Sequence, residues 1–245
     1  MKRHIIYIGI VISILSCTKE SAEAHPTPTS SIEFSLNHIS NSTILKFDTI
    51  QYSLPSGFEI STTRLEYYLS NLKLIDTIGN NIYTDNEAHY INARNENKFT
   101  VHEVPLGPYH KIEMTIGLVP HLNVHGRIAN TPENIGMIWP INMGGGYHFL
   151  KFEGHFKRSN DATSSGFAIH LGETGYEVIV DKQISFELIE NNEINLSIEV
   201  DVLNWLSNPY TYDFDFDGNY TMGIPALMEK IQDNGNNVIT KIIEP

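Results

Sequence analysis

Residues 184–202 read "ISFELIENNEINLSIEVDV", and how this stretch folds decides the architecture. Ile184, Phe186 and Leu188 fall on one side of an extended chain, and Ile194, Leu196, Ile198, Val200 and Val202 fall on one side of a second. Asn191-Asn192 lies between them, and asparagine tolerates the positive φ that a two-residue turn demands. The spacing predicts a β-hairpin.

The same period of two extends outward on both sides. "SIEFSLNHI" and "STILKFDTI" alternate around a turn at Asn41-Ser42. "TRLEYYLSNLKLID" is rich in aromatic and β-prone residues and ends at the turn signal Gly79-Asn80-Asn81. "KFTVHEV" and "HKIEMTIGLV" flank the Pro/Gly loop "PLGPY". One helix is expected near the end, opened by Pro225 and closed by Gly235. Many short strands with turns every ten or so residues predict an all-β antiparallel β-sandwich with short peripheral helices; pattern alone leaves barrel closure open.

With 245 residues and an ordinary apolar content, the chain can bury a sizeable core as a single domain over 32–245. A formal charge of −13 leaves no basic stripe to displace phosphate counterions, which excludes nucleic acid as a partner. The start, "MKRHIIYIGIVISILSC", has a basic head and an apolar run too short for a comfortable membrane span. It resembles a lipoprotein signal over 1–16, with cleavage leaving Cys17 to carry lipid. Residues 17–31, polar and rich in Pro and Thr, read as a flexible stalk. The expectation is a lipid-anchored protein of the cell envelope, periplasmic or on the outer-membrane face, touching membrane only through Cys17. Lipid there removes the only thiol, and with it any disulfide or cysteine ligand.

Familiar catalytic signatures are missing from the sequence: no G-x-S-x-G elbow, no H-E-x-x-H, no Walker loop. The chain is therefore not expected to be an enzyme. "DFDFDGNYTMGI" places Asp213, Asp215, Asp217 and Gly218 like the first half of a calcium loop, but its twelfth position is Ile224 rather than glutamate. It reads better as an acidic edge strand turning at Asp217-Gly218.

Histidine is more informative. Of eleven, His4 and His25 fall in the signal and stalk, leaving nine in the domain. His121 and His125 bracket "HLNVHG", His148 follows a glycine run, and His170 ends the strand "FAIH". Neutral imidazole is a common metal ligand. Met137 and Met143 add thioether sulfur, which suits Cu(I), or else they fill the core. In "GMIWPINMGGGYHFLKFEG" (136–154), Gly144, Gly145 and Gly146 are expected to reverse the chain and bring Trp139 and His148 to one end of the sandwich. Strict alternation in the following strand puts Tyr147, Phe149, Lys151 and Glu153 on one face and His148, Leu150, Phe152 and Gly154 on the other.

Four separated blocks now come together: "LEYYLSNLKLID" (65–76), "VPLGPYHKIEMTIGLVPHLNVHG" (104–126), the 136–154 stretch and "FAIHLGETG" (167–175). In this order and spacing, across most of residues 32–205, the chain resembles the MbnP-like family of extracytoplasmic copper-binding proteins. The resemblance implies a β-sandwich that binds copper through histidines. It also implies a partner, a di-haem protein of the cytochrome c peroxidase type, that oxidises a tryptophan at the site. His170 matches the family's "H-x-G" strand end, Asn123 and His125 its Asn/His loop, and Trp139 its "G-M-x-W" segment. With His148 added from its position after the glycines, His170, His125, His148 and Asn123 form the expected copper ligand set. A second reading, from a different class, is a surface module that recognises a glycan or a protein through Tyr67, Tyr68, Trp139, Tyr147, Trp205, Tyr210 and Tyr212.

Overall fold

A computed structural model describes residues 27–95, 97–190 and 192–244. The signal, Cys17 and the first part of the stalk lie outside the described residues. In chain order the elements are β1 (Thr29–Ser40), β2 (Thr43–Ile44), β3 (Tyr52–Ser53), β4 (Phe58–Asp76), β5 (Asn81–Asn92), β6 (Lys98–Pro105) and β7 (Gly107–Ile116). They continue as α1 (Pro132–Gly136), β8 (His148–Arg158), β9 (Ser165–Gly172), β10 (Val178–Leu188), β11 (Ile194–Asp201), α2 (Pro225–Gly235) and β12 (Ile239–Ile243). Among these residues no helix is long and apolar enough to cross a membrane.

Two sheets enclose the core. The smaller runs β12-β11-β1-β2, with β6 also on β1; the larger runs β10-β7-β4-β8-β9, with β3 and β5 also on β4. The all-β sandwich expected from the pattern is present. The long β4 serves four neighbours because it bends: its register shifts near Thr62 and again at Asn71, which takes φ 51°, a conformation asparagine accepts. Inward-facing Ile32, Phe34 and Leu36 of β1 and Leu196 and Ile198 of β11 meet Ile60 and Leu65 of β4 and Phe152 and Ile169 of β8 and β9. All nine are fully buried.

The hairpin expected over 184–202 does not form. β10 pairs with β7 in the larger sheet, whereas β11 pairs with β1 and β12 in the smaller one, so the two strands lie in different layers. Both strands do turn their apolar sides to the core, but from opposite walls. The β1–β11 pairing is parallel, whereas the other pairs of named strands among the described residues are antiparallel. The turn at Asn41-Ser42 does form, with φ 50° and 62°, and α2 has the bounds that Pro225 and Gly235 set. Residues Thr29–Ser31, read as stalk, begin β1, where the backbones of Thr29 and Ser30 pair with Pro105 and Val104 of β6. The aromatic side chains considered for glycan stacking are interior, except Tyr210, which is 51% exposed. The 213–218 segment is a turn rather than a strand. Asp217 is held by Lys230 at 2.7 Å and Asp215 by Arg158 at 2.5 Å.

A buried polar bridge between two side chains joins the two sheets. His38 of β1 and Tyr67 of β4, both buried, share a 2.8 Å hydrogen bond between Nε2 and the phenol oxygen. Burial lowers the His38 pKa from its ordinary 6.5 to about 4. The folded state therefore binds its proton less readily than the unfolded chain. Its contribution to stability is fully present above pH 6.5 and lost as the pH falls toward 4. At about 1.4 kcal/mol per unit, moving from pH 7 to pH 5 costs about 2 kcal/mol through this one group. Urea unfolding at the two pH values should show the wild type losing that much more than His38→Gln; equal losses would discard the assignment.

Candidate functional site

A connecting segment, residues 117–147, leaves β7 and folds over the outer face of the larger sheet. Gly117 starts it at φ 115°, its N–H donating to the Tyr68 carbonyl at 2.8 Å. Thr131 caps α1 and Pro132 opens it, and Asn134 then ties the segment down. The Asn134 Oδ1 accepts from the Tyr68 hydroxyl at 2.6 Å, and its Nδ2 donates to the Ala129 carbonyl at 2.8 Å.

The glycine run does what its composition requires. Gly144, Gly145 and Gly146 have φ 103°, 71° and 83°, all in the region side chains resist. The reversal lays Met137–Trp139 against Gly146–His148: the Trp139 N–H donates to the Gly146 carbonyl at 3.0 Å, and the His148 N–H to the Met137 carbonyl at 2.6 Å. Trp139 is fully buried, and its indole N–H donates to the Met143 carbonyl at 2.9 Å.

His148 does not follow the alternation read from the sequence. It pairs with Gly172, while Leu150 pairs with Leu171, so β8 has one residue more than β9 at this point. That bulge carries His148 to the face of Lys151, away from Leu150 and Phe152. The His148 and His170 rings consequently meet at right angles with centroids 5.0 Å apart, and the Trp139 ring lies 4.7 Å from His148.

Each imidazole is oriented by its other nitrogen. His148 Nδ1 lies 3.1 Å from the Met137 carbonyl, which can only accept, so Nδ1 carries the proton and Nε2 presents a lone pair. His170 Nε2 lies 2.8 Å from Glu153 Oε1 and donates to it, so in the neutral ring Nδ1 is the acceptor. Backbone bonds to Thr221 fix the His170 position: its N–H donates to Oγ1 at 2.8 Å, and that hydroxyl donates back to the His170 carbonyl at 2.6 Å. Burial, then the charge of Lys151 and the neighbouring His170, pushes the His148 pKa down to about 3. Burial also lowers Lys151, whose ammonium donates to the Gly136 carbonyl. The His170 hydrogen bond holds Glu153 below the usual carboxylate range. Arg64 completes the array, 2.7 Å from Glu66 and 3.5 Å from Glu153.

The structure thus brings together His148, His170 and Trp139 from the expected set. Asn123 is occupied elsewhere. Its Oδ1 accepts from the Tyr147 N–H at 2.9 Å and its Nδ2 donates to Thr174 at 3.2 Å, clamping the end of the glycine run. His125 is exposed on the edge of a cavity beside Tyr147. Met137 is core, and Met143 packs near Gly223. Among the described residues no group of three or more His, Cys, Asp or Glu side chains is arranged to hold a metal ion. The two imidazoles stand as a pair of nitrogen donors. Arg64, Glu66, Lys151 and Glu153 were missed as neighbours of the pair, although "RLE" and "KFE" show charges at period two on adjacent strands.

A sequence profile of the MbnP family matches residues 29–223. No curated protein sequence matches the chain. Among solved structures, MbnP from Methylosinus trichosporium is similar to it at 15% identity, covering 74% of this chain and 77% of that one with a TM-score of 0.44.

Gly172 provides a direct test of the packing. A methyl group there would drive into the six-membered ring of Trp139. Gly172→Ala should lower stability by about 1–3 kcal/mol and alter the near-ultraviolet circular dichroism of the indole. An unchanged spectrum and midpoint would mean that Trp139 does not rest on β9.

Proposed function

The chain belongs to the MbnP family, and we propose that it binds copper at His148 and His170, acting in copper handling rather than catalysis. The observation that carries this reading is the right-angled pair of imidazoles 5.0 Å apart, each with one ring nitrogen already engaged by a hydrogen-bond partner. Imidazole nitrogens beside the cationic Lys151 and Arg64 favour an ion of low charge, and imidazole suits copper well. The Glu153 carboxylate behind His170 is the kind of partner that fixes a metal-binding ring and raises its basicity.

Asn123 and His125 stay outside this donor pair: Asn123 positions the glycine run, and His125 faces another cavity. Oxidation of Trp139 by a di-haem partner of the cytochrome c peroxidase type belongs to the same proposal, supported by the 4.7 Å approach of its ring to His148. So does the location in the cell envelope on a lipid attached to Cys17, supported by the basic, apolar and cysteine-terminated start of the chain.

Competition titration of the metal-free full chain with Cu(I) should give one tight equivalent. His170→Ala and His148→Gln should each weaken it by at least about tenfold, the scale of losing one good ligand interaction, whereas His125→Ala should leave it unchanged. Equal uptake by the wild type and both site variants would remove the imidazole pair from copper binding.

A further inference from the structure

The 117–147 segment carries a second feature that the imidazole pair does not use. Cavities of about 450 and 410 Å³ open on either side of residues 127–129, and Arg127, Ile128, Ala129 and Asn134 line both. Arg127 is exposed and unusual in this chain. Four arginines lie among the described residues; Arg64 holds Glu66, Arg94 holds Asp48 and Arg158 holds Asp215. Arg127 has no carboxylate partner among the described residues, although the sequence contains 29 Asp and Glu against 16 Lys and Arg.

The larger cavity is built to receive negative charge. Its lining includes His125, Arg127, Asn130 and Tyr147, and no Asp or Glu among the described residues. The Tyr147 hydroxyl accepts from the Ile128 N–H at 3.2 Å, which leaves its own O–H free to donate. Both ends of the Asn134 amide are already satisfied by Tyr68 and Ala129, so it does not compete. Apolar walls come from Ile128, Ile135 and Ile138, with Ile135 50% exposed. A planar guanidinium matches a carboxylate with two parallel hydrogen bonds. The isoleucines call for an apolar body behind that carboxylate, which inorganic phosphate lacks. A cleft of this size, with polar donors set against apolar side chains, has room for a small organic molecule.

We propose that this cavity binds a small organic carboxylate, its charge on Arg127 and Tyr147 and its apolar body against Ile128, Ile135 and Ile138. Nothing in the proposal depends on copper, and the metal-free protein is the right material for the test.

Benzoate serves as the probe, titrated into full-length protein with isoleucine methyl groups observed by NMR, and inorganic phosphate at matched ionic strength as the comparison. Saturable shifts at Ile128, Ile135 and Ile138 are expected, with binding weakened about tenfold or more in Arg127→Gln, the scale of a lost charge-assisted pair. Arg127 is exposed, so the variant should keep the remaining isoleucine spectrum, which reports that it is folded. Shifts that never saturate, equal binding by Arg127→Gln, or phosphate binding as well as benzoate would each overturn the proposal. Copper affinity should be the same in Arg127→Gln and wild type, so failure here and failure of the copper reading are separable.

Discussion

Where β8 leaves the glycine run it has one residue more than β9 opposite, and the His148 side chain passes from the core side of the sheet to the outer side. Every arrangement on that outer face follows from this offset. Without it, His148 would sit among Leu150 and Phe152, and the right-angled contact with His170 could not exist. The bulge is held from both ends. Three left-handed glycines return the chain so that Met137 can bind the His148 backbone, and the Asn123 amide fixes the next peptide at Tyr147. A bulge next to a functional face is a common way of re-aiming one side chain without disturbing the sheet.

The charges around the imidazoles form a balanced array rather than a field of one sign. Arg64 and Lys151 alternate in space with Glu66 and Glu153, and the covering segment supplies the Gly136 carbonyl to the Lys151 ammonium. Charges this poorly hydrated are costly unless each has a partner, and removing one leaves the others exposed to that cost. The array therefore acts as a positioning device. It holds Glu153 ionised against His170 and keeps a positive charge close to His148, which stays neutral.

Much of this was legible in the sequence because period and turn chemistry are local. The bounds of α2, the Asn41-Ser42 turn and the inward faces of β10 and β11 all came from such local signals. The partner of a strand is not a local property. Residues 184–202 carry two apolar faces whether the strands lie side by side or on opposite walls, and alternation cannot distinguish the two arrangements. The His148 side was misread for a related reason: counting by twos assumes one residue opposite one residue, and only the paired strand reveals the extra one. His170 and Trp139 could be placed from their motifs. The separation of His125 from them depended on how a thirty-residue segment drapes over a sheet, which no short pattern records.

The parallel joining of β1 to β11 has a further meaning for how the molecule is made. Ile32 finds its neighbour in Ile194, so the first strand among the described residues has a partner that is made only much later in the chain. Local hairpins in the larger sheet can close early, but the smaller layer is complete only once β11 and β12 have joined β1, β2 and β6. During that interval one edge of β1 can pair with β2 and β6, while the edge that takes β11 stays open to any extended segment it meets. The β1–β11 seam thus closes late, and it lies inside a layer rather than along its rim.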